Sequence, residues 1–163
     1  MEARFLDMNA EFVNPFLNAL KNVLGTMANL ELKAGKAAMK KDEMARGDVS
    51  GVIGMVGPQL KGSFSISFEE NLACEIMHKM LGEKPDKLDA EVCDMVGEIT
   101  NMVTGGAKRE LGEKGYDFEM ATPIVVSGKN HTISHRSEGP KLIMPFTHIA
   151  GKAYIEICFD RAV

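Results

Sequence analysis

Glu98 and Asn101 stand three residues apart in the segment LDAEVCDMVGEITNMVTGGAKRELG, Leu88 to Gly112, and no other pair in the chain is better suited to chemistry on a second molecule. A carboxamide has no useful pKa, so Asn101 cannot act as a general base, yet it can hold a water by donating and accepting at once. The carboxylate beside it adds charge and a strong acceptor. Chemistry that needs a positioned water, with the electrophile supplied elsewhere, is phosphoryl transfer to water. An acid and an amide at i and i+3 are also common on solvated helix faces, so their surroundings must decide. Gly97, Gly105 and Gly106 flank the pair. Each costs a helix about 1 kcal/mol relative to alanine, which suits a partner that approaches the backbone closely; close packing within the chain is the other reason for such glycines.

The segment that must position the pair reads as the longest helix. Asp89 is its N-cap, Glu91 and Asp94 suit the positive end of the macrodipole, Lys108 and Arg109 occupy the last turns, and Gly112 is the expected C′ residue. At about 100° per residue, Val92, Met95, Val96, Ile99, Met102 and Val103 fall in an apolar stripe about 120° wide. Asp94, Glu98 and Asn101 cluster roughly 135° away, towards solvent or a partner.

The remaining elements alternate. Residues from about Asp7 to Leu24 have helical spacing in Phe12, Val13, Phe16, Leu17, Leu20, Val23 and Leu24, with Asp7 or Asn9 as cap and Gly25 as stop. Pro15 must kink this helix, or else the regular helix starts just before it with Asn14 as cap. Leu30 to Met44 fits an edge strand protected by lysines. Val49–Val56 and Gly62–Phe68 form a hairpin joined by Gly57, Pro58, Gln59, Leu60 and Lys61. In its second strand Phe64, Ile66 and Phe68 are expected to face a core, and Ser63, Ser65 and Ser67 to be wet. Glu69 to Leu81 is helical and closes at Gly82. A strand is expected from Phe118 to Val126, a loop at Ser127 to His131, and a short strand to Arg136. A second hairpin, Lys141–His148 and Lys152–Phe159, ends the chain.

Composition narrows the function. A chain of 163 residues with 45% hydrophobic and 26% charged residues supports one domain with a proper core. The net charge of −4 argues against a nucleic-acid binder. No run approaches the length of a membrane span, and the acidic start, MEARFLDMNAE, does not resemble a signal peptide. Cys74, Cys93 and Cys158, an odd number of thiols in apolar surroundings, suit a reducing compartment, so a cytoplasmic protein is expected. The four histidines show neither HExxH nor pairing with cysteine, which makes a metal site improbable. Walker, dinucleotide-binding and GxSxG patterns are missing, and Gly51, Gly54 and Gly57 suit turns or close packing in a strand.

The two halves of the chain repeat each other. VNPFLNAL at Val13–Leu20 parallels VGEITNMV at Val96–Val103, and GSFSISF parallels AYIEICF. Each half, about 6–68 and 88–160, runs helix, strand, hairpin. The expected fold is therefore α/β of the α+β kind: a single domain over 1–163 in which two long helices pack on an antiparallel sheet with a pseudo-two-fold repeat. Asn18 matches Asn101, whereas Pro15 stands in the place of Glu98, so only the second half keeps the pair.

Asp94-x3-Glu98-x2-Asn101, with Pro123 in a following strand, resembles the signature of the chemotaxis phosphatases of the CheC, CheX and FliY family, and the single intact motif on the second helix is most like the CheX type. That resemblance implies a phosphatase acting on the aspartyl phosphate of the response regulator CheY. Asn101 would orient the attacking water and Glu98 would pair with a lysine of the regulator, with Asp94 and Pro123 in support. It further implies no cofactor of the chain's own, Mg2+ being carried by the regulator, and a homodimer joined through the sheet. The competing reading is a non-enzymatic adaptor that binds a response regulator or flagellar switch component through the same helix. Binding alone would not require Glu98 and Asn101 as a pair.

Overall fold

The computed structural model describes residues 2–58, 60–135 and 141–161. The long helices are α1, Glu2–Ala28, and α3, Ala90–Glu113; α2, Glu70–Leu81, is shorter. The strands are β1 (Lys33–Ala34), β2 (Ala38–Lys40), β3 (Val49–Val56), β4 (Leu60–Phe68), β5 (Glu119–Met120), β6 (Ile124–Ser127), β7 (Lys141–His148) and β8 (Gly151–Arg161). They form one antiparallel sheet, ordered β1-β7-β8-β4-β3-β5, with β2 also on β7 and β6 also on β3. The expected α+β class holds: two long helices and the shorter α2 lie against the antiparallel sheet.

The hairpins β3–β4 and β7–β8 meet along β4 and β8, where Ser65 pairs with Glu156. These two residues also match in the GSFSISF and AYIEICF repeat. Each half sends its short strands to the other half's hairpin: β1 and β2 pair with β7, while β5 and β6 pair with β3. Both edges carry the same irregularity. Ile53 and Gly54 of β3 face three residues, Ala121, Thr122 and Pro123, because Met55 pairs with Met120 and Val52 with Ile124. On the other edge Met144 and Pro145 face Gly35, Lys36 and Ala37. Each bulge is held by one amide: Ala121 N–H donates to Gly54 O at 3.0 Å, and Gly35 N–H to Pro145 O at 2.7 Å. The single strand expected from Phe118 to Val126 is thus two, broken where Pro123 has no N–H to give the ladder.

The core lies between the sheet and the two long helices. Phe12, Phe16, Leu20 and Leu24 of α1 and Val92, Val96, Ile99 and Val103 of α3 are buried against Phe64, Ile66, Phe68, Ile155 and Ile157. Helix α1 is longer than its local signals suggest. Asp7, Asn9, Asn14, Pro15 and Gly25 all lie inside it, and the left-handed residue after it is Asn29, φ 49°. Its apolar face continues across the proline into the core, and that burial outweighs the lost hydrogen bond. Helix α2 ends as expected at Gly82, φ 84°.

The far face of the sheet departs from expectation. Ser63, Ser65 and Ser67 are buried rather than wet. Residues 42–48 and 128–135 lie over them, joined to each other by Ala45 N–H to His131 O (2.8 Å), Ile133 N–H to Glu43 O (2.7 Å) and Gly128 N–H to Asp48 O (2.8 Å). His131 Nε2 meets Ser50 Oγ at 2.6 Å, and Ser50 Oγ meets Ser67 Oγ at 2.6 Å. His135 bridges Ser63 Oγ and Glu156, and Glu156 accepts a 2.8 Å hydrogen bond from the Lys40 ammonium. Lys40 therefore does not guard an edge; its ion pair with Glu156 is fully enclosed. Burial works against the Glu156 carboxylate, but the hydrogen bonds from His135 and Lys40 outweigh it and hold its pKa below the usual carboxylate range. Ser65 Oγ has no hydrogen-bond partner among the described residues. The short strand expected to reach Arg136 is a single bridge between Met44 and Thr132, and Arg136 and Gln59 lie outside the described residues.

Candidate functional site

Helix α3 starts at the predicted cap: the Asp89 carboxylate accepts from Val92 N–H at 2.9 Å. It runs past Gly112, which is helical, to Glu113; the left-handed residue beyond it is Gly115, φ 91°. Val92, Met95, Val96, Ile99 and Val103 are buried as expected. Met102 is 37% exposed, because the buried stripe is shifted towards Thr100 and Thr104. Those two hydroxyls are satisfied within the helix: Thr100 donates to Val96 O at 2.7 Å and Thr104 to Thr100 O at 2.8 Å.

Thr100 can lie so deep because Gly51 of β3 has no side chain. A Cβ there would fall on the Thr100 hydroxyl and within 2.9 Å of its Cβ. This contact brings the helix down onto the sheet and turns its opposite side outward. Asp94, Glu98 and Asn101 are all exposed on that side.

The three side chains open into a groove of about 650 Å³ between α3 and the bulge of the edge strand, where Thr122 and Pro123 form the facing wall. Its floor is narrow because Gly97 lets Val125 approach; a Cβ on Gly97 would stand 3.2 Å from Val125 Cγ2. All four residues singled out from the sequence, Asp94, Glu98, Asn101 and Pro123, thus border one groove. Among the described residues, Glu98 and Asp94 have no ion-pair partner and the Asn101 amide has no side-chain hydrogen bond. These groups are free to meet another molecule. The wall residues Ala121 and Thr122 carried no signal in the sequence, since only strand pairing reveals the bulge. Cys93 also borders the groove.

The matching places on α1 differ. Pro15 is buried where Glu98 is exposed, and Asn18 opens into a separate groove between α1 and α3, beside Lys21 and Arg109. Among the described residues no three metal-ligating side chains gather, and no helix is long and apolar enough to cross a membrane.

The sheet thus carries two long helices, one of which exposes an acid and an amide along an open groove beside a bulged edge. A family model described as chemotaxis phosphatase CheX matches residues 49–147, and the chain belongs to that family. It is 27% identical over 141 residues to the CheY-P phosphatase CheX of Thermotoga maritima, covering 86% of this chain and 89% of that one. The crystal structure of the chemotaxis protein CheX from Vibrio vulnificus superposes with a TM-score of 0.88 at 68% identity, covering 93% of this chain and 100% of that chain. A CheX–CheY–BeF3–Mg2+ complex from Borrelia burgdorferi superposes with a TM-score of 0.76 at 28% identity, covering 91% and 97% of the two chains.

Proposed function

We propose that this chain hydrolyses the aspartyl phosphate of a CheY-type response regulator, presenting α3 to the regulator's phosphorylation site. The observation that carries this reading is the free Glu98–Asn101 pair on the exposed side of α3, in a chain that belongs to a phosphatase family. Relatives named as a CheY-P phosphatase and as a partner of CheY in a complex support the choice of substrate.

On this reading the Asn101 carboxamide holds a water in line with the phosphorus, accepting from the water and donating to it. The water oxygen forms a bond to phosphorus as the bond to the regulator's carboxylate oxygen breaks, which frees the carboxylate and inorganic phosphate. Glu98 pairs with a lysine of the regulator and sets the depth and angle of docking. Asp94, one turn earlier, supports the helix's N-terminal charge pattern, and Pro123 shapes the opposite wall. The Mg2+ in this scheme belongs to the regulator. The chain acts in the cytoplasm as one domain of two duplicated halves, about 6–68 and 88–160, and pairs with a second copy through a sheet edge. Release of inorganic phosphate from phosphorylated CheY, measured with and without this protein, tests the reading. An unchanged rate would favour the adaptor.

A further inference from the structure

Three glycines lie close to the Glu98–Asn101 pair along α3, and the structure explains two of them. Gly97 makes room for Val125, and Gly106 for Ala19 of α1, each with a Cβ contact of 3.2 Å. Gly105 has no such reason. A methyl group placed on it would meet nothing within 4 Å. It sits in the interior of a 24-residue helix, where glycine is the worst residue after proline.

Direction separates the three. At about 100° per residue, Gly97 and Gly106 point to the two flanks of α3, whereas Gly105 points between Glu98 and Asn101, one turn beyond the amide. Arg109, exposed and without an ion-pair partner among the described residues, continues the same line a turn later. The free stripe of the helix therefore runs Asp94, Glu98, Asn101, Gly105, Arg109, with a gap at its fourth position.

We propose that Gly105 is a positioning residue for docking: it leaves the helix backbone bare so that the regulator's surface can settle against it and carry the phosphoryl group within reach of Asn101. This inference rests on the proposed phosphatase reading, and the occupant it commits to is the same CheY-type regulator, whose contact continues along the stripe from Glu98 and Asn101. A side chain at Gly105 would stand between the two proteins without disturbing either fold. Its effect on stability and its effect on docking then have opposite signs, a combination that a merely structural glycine would not produce.

The experiment compares Gly105→Ala and Gly105→Gln with Gly25→Ala, a glycine inside α1 that also meets nothing within 4 Å and lies away from the groove. Thermal unfolding and phosphate release from phosphorylated CheY are measured on each full chain. Both alanine variants should melt higher than wild type, because a helix gains from losing a glycine where a methyl group meets nothing within 4 Å. Gly25→Ala should keep wild-type kinetics. Gly105→Gln should raise KM about tenfold or more with kcat less affected, and Gly105→Ala should show the same change in weaker form. Wild-type KM and kcat in Gly105→Gln, alongside an active wild-type protein, would overturn the proposal and leave the phosphatase reading standing. No phosphate release by the wild-type protein itself would overturn both.

Discussion

Thr100 lies directly over Gly51, in the space that any side chain at position 51 would occupy. This contact between the middle of α3 and a central part of β3 sets how deeply the helix sits, and through it how far Glu98 and Asn101 stand out. Gly51→Ala should lift or roll α3, costing about 1–3 kcal/mol of stability in a urea titration. Gly54→Ala on the same strand, whose added methyl would lie 4.0 Å from the nearest side chain, should be tolerated. Equal losses in the two variants would show that strand propensity, not the helix contact, is at work.

The two asparagines at matching places in the repeat offer an internally controlled test of chemistry. Asn101→Ala should lower kcat for phosphate release by about a hundredfold, the scale of effect that misplacing a reacting group brings. Stability should change by no more than about 0.5 kcal/mol, because the residue is exposed. Asn18→Ala, whose neighbour Pro15 is buried in place of an exposed acid, should do neither. Comparable phosphate release by the two variants, both folded by circular dichroism, would remove Asn101 from the mechanism.

Glu98→Ala should act on docking before it acts on the water. KM should rise, and the deficit in rate should shrink as phosphorylated CheY approaches saturation. A deficit that persists undiminished at saturation would move Glu98 from docking into the chemical step.

The enclosed pair of Lys40 and Glu156 predicts a particular response to acid. Glu156 titrates below the usual carboxylate range in the fold, so its contribution is complete above the unfolded-state pKa of about 4.3 and is lost as pH falls through the lower, folded value. Wild-type stability should therefore drop on acidification below about pH 4.3 more steeply than in a variant lacking the pair. Glu156→Gln should cost about 3–5 kcal/mol at neutral pH, because it leaves the Lys40 ammonium buried without a counter-charge. The double change Lys40→Met, Glu156→Leu should cost less than either single one. A double variant less stable than both would show that the pair is worth more than its desolvation.

Assembly through a sheet edge predicts a solution mass twice that of the 17.8 kDa chain, unaffected by reductant, since backbone pairing at an edge needs none of the cysteines. Light scattering across a range of concentrations measures this directly. A mass of one chain throughout would count against the dimer.

Much of the candidate site was legible in the sequence because it depends on one helix. A period of 3.6 residues assigns Val96, Ile99 and Val103 to one side and Asp94, Glu98 and Asn101 to another, and a helix of that length keeps those directions wherever it is placed. Asp89 as the cap, the closing Gly82 and both hairpins are likewise written in short-range chemistry. Tertiary structure decided what covers each face. Alternation showed that Ser63, Ser65 and Ser67 share a side, but residues 42–48 and 128–135, distant in the chain, made that side dry. Burial of the α1 face carried that helix through Pro15 and Gly25, where local signals placed a kink, a late start or an end. The bulge that puts Thr122 and Pro123 opposite Asn101 exists only as a mismatch in register between β3 and its neighbours, which no single strand contains. Glycine shows the division most clearly. Gly51, Gly97, Gly105 and Gly106 are the same letter, and only the atoms that would meet an added methyl group separate the three that serve packing from the one that leaves the helix bare.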